Sequence, residues 1–313
     1  MANWANMSKD LVTKIAEHVK LYEDFETLRW ICSSWRLATK EAHHRACVNS
    51  DEHRVPWLML PPKRNNYSKR RHLYSFSRGK VRCIDLPHSK DNFKIMKMVL
   101  SSHGWYKWCT IVGLLEEPRQ DMDFSDGFYT SEFYGVEFRG MIVKFGTAQG
   151  SPRYQMVTKL DTNFDNEGGS YIESWCHYLV ESLGQLLVVR QALIIDKINL
   201  RRWTKRFEVL ELNVKDGQVK KVQSLGNRAI FVGMNSSFSV DVSGVSGFKP
   251  NCIYNTDDRV TKKWSGCKFY CSDTCIYNLT DGRWYKLDYG SSIRRKYCNG
   301  KRTPVTWIES PII

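Results

Sequence analysis

The sequence carries none of the short motifs around which phosphate, acyl-transfer or zinc chemistry is usually built. There is no Gly-x-x-x-x-Gly-Lys loop, no Gly-x-Gly-x-x-Gly, no Gly-x-Ser-x-Gly elbow and no His-Glu-x-x-His. Nor is there a long apolar run. The most apolar window, Leu183 to Ile195, is broken by Gln185, Arg190 and Gln191 and is too short and polar to span a bilayer. The first ten residues have no apolar stretch behind a basic start, so nothing reads as a secretory signal. These absences predict a soluble, intracellular chain that is not an enzyme, holds no cofactor and does not enter a membrane.

Metal-ligand spacing is also missing. Ten cysteines in 313 residues without a leader argue for reduced thiols rather than a disulfide framework. Cys267, Cys271 and Cys275 recur every four residues, but no second close pair and no histidines stand nearby to complete a zinc site. On a strand that spacing puts three small thiols on one face, as packing residues would be. Asp121, Asp123 and Asp126 lack the central Gly and terminal Glu of a calcium loop and read as surface. His43 and His44 read as solvent-facing, and His103, before Gly104-Trp105, as a packing residue in a turn. The glycosylation triplets at Asn66, Asn235 and Asn278 are discounted for an intracellular chain. No metal is expected.

What is present divides in two. Leu11, Ile15 and Val19 fall four apart, with Val12 and Ala16 widening the stripe, which predicts a first helix over residues 7–19. Asp24 is placed to cap a second helix through Phe25, Leu28, Ile31, Cys32 and Trp35, and Ser34 to start a third through Arg45. Three short helices cannot close a core alone, so an exposed apolar face is expected. Beyond them, Val55 to Pro62, with prolines at 56, 61 and 62, reads as an extended linker.

Strand patterns then take over. Apolar runs flank Ser77-Arg78-Gly79-Lys80, Arg139-Gly140, Gly184-Gln185, Asp216-Gly217 and Asp281-Gly282, each a hairpin signal. Phe238, Val240 and Val242 alternate with Ser239 and Asp241, as a half-buried strand should, with Asn235-Ser236 as the turn before it. Repeated hairpins without long helices predict an all-β domain, and four strands per 40 to 50 residues is propeller spacing, with room for about four to six blades. A sandwich or barrel is the structural alternative.

Charge follows the same division. Residues 1–45 hold seven Lys/Arg against six Asp/Glu, leaving 40 against 27 of the totals of 47 and 33 for the remainder, so nearly all of the +14 lies beyond the helices. Arg54 to Arg82 carries nine cations and no acidic residue, and Arg294-Arg295-Lys296 with Lys301 and Arg302 closes the chain. Such runs attract nucleic acid or acidic surfaces, or serve in nuclear import. No recognition-helix or aromatic RNA-binding signature accompanies them.

Two resemblances add to this reading. Met7, Asp10, Leu11, Ile15, Asp24, Leu28, Arg29, Ile31, Cys32, Trp35 and Arg36 stand in a pattern that resembles the F-box, the docking module of ubiquitin ligase receptors, although Met7-Ser8 replaces the usual Leu-Pro. Trp57 to Pro62, Arg71 to Phe76, Ser101 to Trp105, Tyr178 to Gly184, Ser224 to Gly233, Asn251 to Tyr254 and Cys275 to Trp284 are similar to motifs of the plant KIB-type β-propeller domain, often fused behind an F-box. Between Cys109 and Phe124 the chain passes over further blade sequence, which implies a shortened propeller and leaves ring closure open.

The resemblances imply an α+β multidomain chain, a small N-terminal helical F-box module followed by a mostly antiparallel all-β propeller-like domain. The expected divisions are a helical module over 1–46, a linker over 47–62, a propeller-like domain over 63–300 and a tail over 301–313. They further imply docking on a Skp-type adaptor, and through it a cullin, by Met7, Leu11, Ile15, Val19, Leu28, Ile31, Cys32 and Trp35, with Trp35 either a hot spot or a core residue. The propeller would hold an unidentified substrate protein. The alternative is a basic β domain that binds nucleic acid or another polyanion, with the helices as padding; a third reading is a poorly folding family member.

Overall fold

The computed structural model describes residues 7–19, 28, 31–39, 55–60, 70–85, 108–114, 132–137, 139–148, 151–162, 170–199, 201–233, 237–256, 274–288 and 306–308. Asp24, His43, His44, Asn66, Asn235, Cys267, Cys271, the Ser101–Trp105 and Asp121–Asp126 stretches and the basic run at Arg294 lie outside them.

Among the described residues, two helical runs precede the strands, α1 (Lys9–Glu17) and α2 (residues 33–39), and Leu28 between them is helical. Four sheets follow. The first contains β1 (Trp57–Leu60), β2 (Arg70–Ser75) and β3 (Lys80–Asp85), and the second β4 (Trp108–Leu114), β5 (Glu132–Glu137), β6 (Met141–Ala148) and β7 (Ser151–Lys159). The third contains β8 (Tyr171–Ser182), β9 (Gln185–Asp196), β10 (Arg201–Leu212) and β11 (Val219–Lys221). The fourth contains β12 (Arg228–Val232), β13 (Phe238–Asp241), β14 (Cys252–Asn255), β15 (Cys275–Asn278) and β16 (Trp284–Lys286). A last strand, β17 (Thr306–Ile308), returns to pair with β1, so the first sheet runs β17-β1-β2-β3. Among the described strands, pairing is antiparallel except between β12 and β14.

The turns expected at Gly79, Gly140, Gly217 and Gly282 are present with positive φ at each glycine, and the turn expected at Asn235-Ser236 lies outside the described residues. In the β8–β9 hairpin, Leu183 and Gly184 both have positive φ, 54° and 75°, and Ser182 faces Gln185. A two-residue loop with both residues left-handed twists the way the strands do, so the loop is Leu183-Gly184, one residue earlier than the sequence suggested. Gly247 (φ 89°) has a different reason. A Cβ there would stand 2.6 Å from the Phe76 carbonyl oxygen, so only glycine lets the β13–β14 connection close on the first sheet.

Two expected divisions, the linker and the tail, contain strands, and two strands are longer than their apolar residues suggest. Residues 57–60 are not part of a linker, because β1 is paired on both sides, to β2 and β17, with Trp57, Leu58 and Leu60 buried. The 301–313 tail contains the strand β17. Strands β8 and β10 begin at Tyr171 and Arg201, well before the apolar residues that signalled them. Their polar halves are held by pairs that hydropathy does not register. The Arg190 guanidinium lies 4.0 Å from the Trp175 ring centre and that of Arg206 5.2 Å away, while Lys205 pairs with Glu173 across the sheet.

The cores lie between sheets. Tyr134, Val136 and Ile142 of the second sheet meet Leu179, Val188 and Leu210 of the third. The third sheet's opposite face, with Tyr178, Val180, Val189 and Val209, meets Ile230, Val232 and Ile253 of the fourth. The fourth then packs Phe231, Val240 and Tyr254 against Leu58, Leu60, Tyr74 and Trp307 of the first. A sheet covered on both faces needs apolar residues at successive positions, which is why Leu186 to Val189 and Arg228 to Val232 read as buried runs rather than alternations. Among the described residues four small sheets stack face to face in series, which is blade packing rather than a two-sheet sandwich or a single closed barrel.

Candidate functional site

The helical module is where sequence reasoning placed binding. Ser8, with extended backbone (φ −62°, ψ 146°), caps α1: its side-chain oxygen accepts from the Leu11 N–H at 3.4 Å and its carbonyl from the Val12 N–H at 3.1 Å. Asp10 in the first turn and Lys14 in the last complement the helix dipole. Met7-Ser8 therefore starts the helix without the proline of the F-box pattern.

Burial divides the apolar residues of α1 into two stripes. Val12 and Ala16 face inward, fully buried, while Leu11 and Ile15, one position earlier, are 54% and 37% exposed. Adjacent helical positions are 100° apart, so a stripe read as one broad face becomes a core face and a solvent face. The inward residues pack on α2. Trp35 is 3% exposed and joins Val12 and Ala38, with Met7, Leu28 and Cys32 closing the edges. Val19 and Leu28 pack on Ala16. Thr13 ties the two helices, its hydroxyl donating to Lys9 O at 2.9 Å and Ala38 O at 3.4 Å, and Thr39 donates to Trp35 O at 2.8 Å.

Of the eight residues expected to face a partner, Leu11, Ile15 and Ile31 point to water. Met7, Val19, Leu28 and Cys32 are half-buried supports, and Trp35 is core. Of its two expected roles, hot spot and core, the second is the one observed: its ring is already occupied. Leu37, 66% exposed, belongs to the outward set and was missed because the apolar series was followed only as far as Trp35. The signal was available. Trp35, Ala38 and Thr39 define the inward face of α2, which leaves Leu37 on the opposite side. Trp35→Ala should remove the hub of this small core and raise the rate of protease cleavage within residues 7–39; an unchanged rate would deny Trp35 that role.

The basic stretch is divided as well. Arg78 and Lys80 are exposed at the β2–β3 turn, while Arg82 lies over the buried Trp57 ring at 5.9 Å, so part of the positive run serves packing. Among the described cysteines Cys83 is exposed, and Cys32 and Cys275 are half-buried. Cys176 and Cys252 are buried, and burial pushes the Cys252 thiol up to about 11, which keeps it protonated. No cluster of metal-ligating side chains occurs among the described residues, and of the three evenly spaced cysteines Cys275, on β15, is the one described.

A second exposed apolar group was not foreseen. Tyr171, Ile198 and Trp203, 55%, 72% and 40% exposed, stand at one end of the third sheet. Tyr171 and Trp203 meet edge-on with centroids 6.0 Å apart. The sequence signal was an isolated Ile and Trp inside Lys197-Ile198-Asn199-Leu200-Arg201-Arg202-Trp203, residues of the kind a hairpin search passes over.

The family model described as the KIB1-4 beta-propeller matches residues 32–278. No curated protein and no solved structure matches the chain. The match begins inside the helical module and ends before β17. Among the described residues, no helix is long and apolar enough to cross a membrane.

Proposed function

The chain belongs to the KIB1-4 beta-propeller family, and from that premise we propose that it is a substrate receptor of a cullin-based ubiquitin ligase. In this reading the helical module docks on a Skp-type adaptor and the stacked sheets hold the substrate protein. The chain performs no chemistry itself; it brings a substrate near a transfer centre on other subunits.

The observation that carries the proposal is the set of large apolar side chains left exposed on two helices that already pack on one another. Leu11 and Ile15 on α1, Ile31 before α2 and Leu37 on α2 are exposed, although Val12, Trp35 and Ala38 already pack the two helices together. Their exposure is not required by the fold, and an apolar helix face of this kind suits a complementary groove. The F-box-like spacing of these positions points to the adaptor as that groove's owner.

The test is a double substitution, Leu11→Asp with Ile31→Asp. Both positions are exposed, so the fold should tolerate the change, while two carboxylates driven into an apolar interface should weaken adaptor binding at least about a hundredfold. The expected result is loss of adaptor retention by the full-length variant with an unchanged urea transition. Retention at wild-type strength would remove this face from the proposal.

A further inference from the structure

Between β11 and β12 the chain crosses from the third sheet to the fourth, and two half-buried residues hold it down. Val222 and Leu225 pack on the core between those sheets, the Val222 N–H donating to Val209 O at 2.9 Å and the Leu225 N–H to Asn251 Oδ1 at 2.7 Å. Gln223 and Ser224 stand exposed between these anchors, and among the described residues neither backbone N–H donates a hydrogen bond. The Ser224 hydroxyl oxygen accepts from the Gly226 N–H at 3.1 Å, which holds the side chain at the turn into β12.

The residues before Ser224 are ordered by type. Lys221 and Lys220 lie three and four positions before it and Val219 five, all exposed along β11, the short outer strand of the third sheet. Carboxylates stand nearby without cancelling these cations. Glu211 is opposite Lys220, and Asp216 is engaged by the Asn213 amide and the Gln218 N–H. Lys221 is opposite Leu210, and among the described residues neither lysine is in an ion pair. Protein kinases choose among hydroxyls by the charged and apolar side chains that flank an extended acceptor segment. Burial then sorts this hydroxyl from others of similar sequence. Thr39 and Thr204 each follow an arginine by three positions, yet both are buried, Thr39 donating to Trp35 O and Thr204 accepting from the Gln191 amide at 2.7 Å.

We propose that Ser224 is a phosphorylation site for a Ser/Thr kinase that reads a cation three residues before the acceptor and an apolar residue five before it. In the transfer Ser224 Oγ bonds to the γ-phosphorus of ATP, the bond from that phosphorus to the bridging oxygen breaks to leave ADP, and the hydroxyl proton passes to a carboxylate of the kinase. The phosphate brings a charge of about −1.5 to −2 beside Lys220 and Lys221. A cationic edge thereby becomes nearly neutral where the third sheet joins the fourth. The inference goes beyond the receptor reading and needs neither an adaptor nor a substrate protein.

The experiment incubates the folded full-length chain with magnesium, ATP and a Ser/Thr kinase whose preference for that spacing is set on peptides, and maps the phosphate by mass spectrometry. The expected result is phosphate on Ser224, lost from that segment in Ser224→Ala. Lys221→Glu should lower the initial rate at Ser224 at least about tenfold and Val219→Asp at least about threefold, because each opposes the kinase's own pocket. Lys215→Glu, outside the spacing, should leave the rate unchanged. Thermal transitions of the variants are compared with wild type, and a peptide of residues 217–227 with the same substitutions repeats the rates free of folding. Absence of phosphate from Ser224 of the folded chain would overturn the proposal. A rate unmoved by Lys221→Glu in both chain and peptide, or an equal rate with a kinase that selects acidic residues, would overturn it too.

Discussion

Replacing Trp307 by alanine is expected to cost about 3–5 kcal/mol of stability, the range for deleting a large aromatic from a close-packed core. The strand that carries it is three residues long, yet its ring is fully buried, with centroids 5.0 Å from Phe231, 5.6 Å from Phe76 and 5.9 Å from Tyr254. Those neighbours belong to the first and fourth sheets, so the ring joins two sheets while its backbone pairs with β1. Loss of the side chain leaves a cavity bounded by rings that are themselves packed on one another and cannot all collapse into it. Urea unfolding of Trp307→Ala, compared with Ile308→Ala on the same strand, measures the effect. A Trp307 penalty below about 1 kcal/mol would mean that the β1–β17 closure carries little of the fold's stability.

Acidification should expose a second dependence, at His177. This residue is fully buried on β8, neither ring nitrogen has a hydrogen-bond partner, and it lies across from Arg190. Burial, and then the Arg190 charge, hold its pKa down at about 3 against an ordinary 6.5. In the folded chain the ring therefore stays neutral while the unfolded chain takes up a proton, so stability is complete above about pH 6.5 and falls as pH drops toward 3. The slope from this group alone approaches 1.4 kcal/mol per pH unit over that window. Carboxylates also titrate as pH falls, so the informative quantity is a difference. His177→Leu, which keeps the volume and removes the titration, should lose stability with acid less steeply than wild type, the two curves diverging from about pH 6.5 downward. Parallel curves would mean that water or a partner reaches the ring.

The two predictions concern residues of very different legibility. The hairpins at Gly79, Gly140, Gly217 and Gly282 could be read from sequence because turn chemistry is local: a left-handed residue is required and glycine supplies it. The capped, amphipathic α1 was legible for the same reason. Its two stripes were not, since a run of Leu11, Val12, Ile15 and Ala16 fits two rotations of the helix and only the position of α2 chooses between them. That choice moved Trp35 into the core and left Leu37 in water. The Tyr171, Ile198 and Trp203 group was illegible for a related reason, because residues about 30 apart are brought together by strand register.

By itself, then, the sequence determined what depends on neighbours along the chain: the helical start, the change to strands beyond residue 62, most of the turns, the resemblance to a propeller family and the excess of positive charge. Tertiary structure decided what depends on partners far apart. It made 57–60 and 306–308 two strands of one sheet, set β12 parallel to β14, and buried His177 against Arg190. Hydropathy records how apolar a residue is, whereas pairing depends on which strand arrives beside it, and that is settled by the packing of all the sheets together.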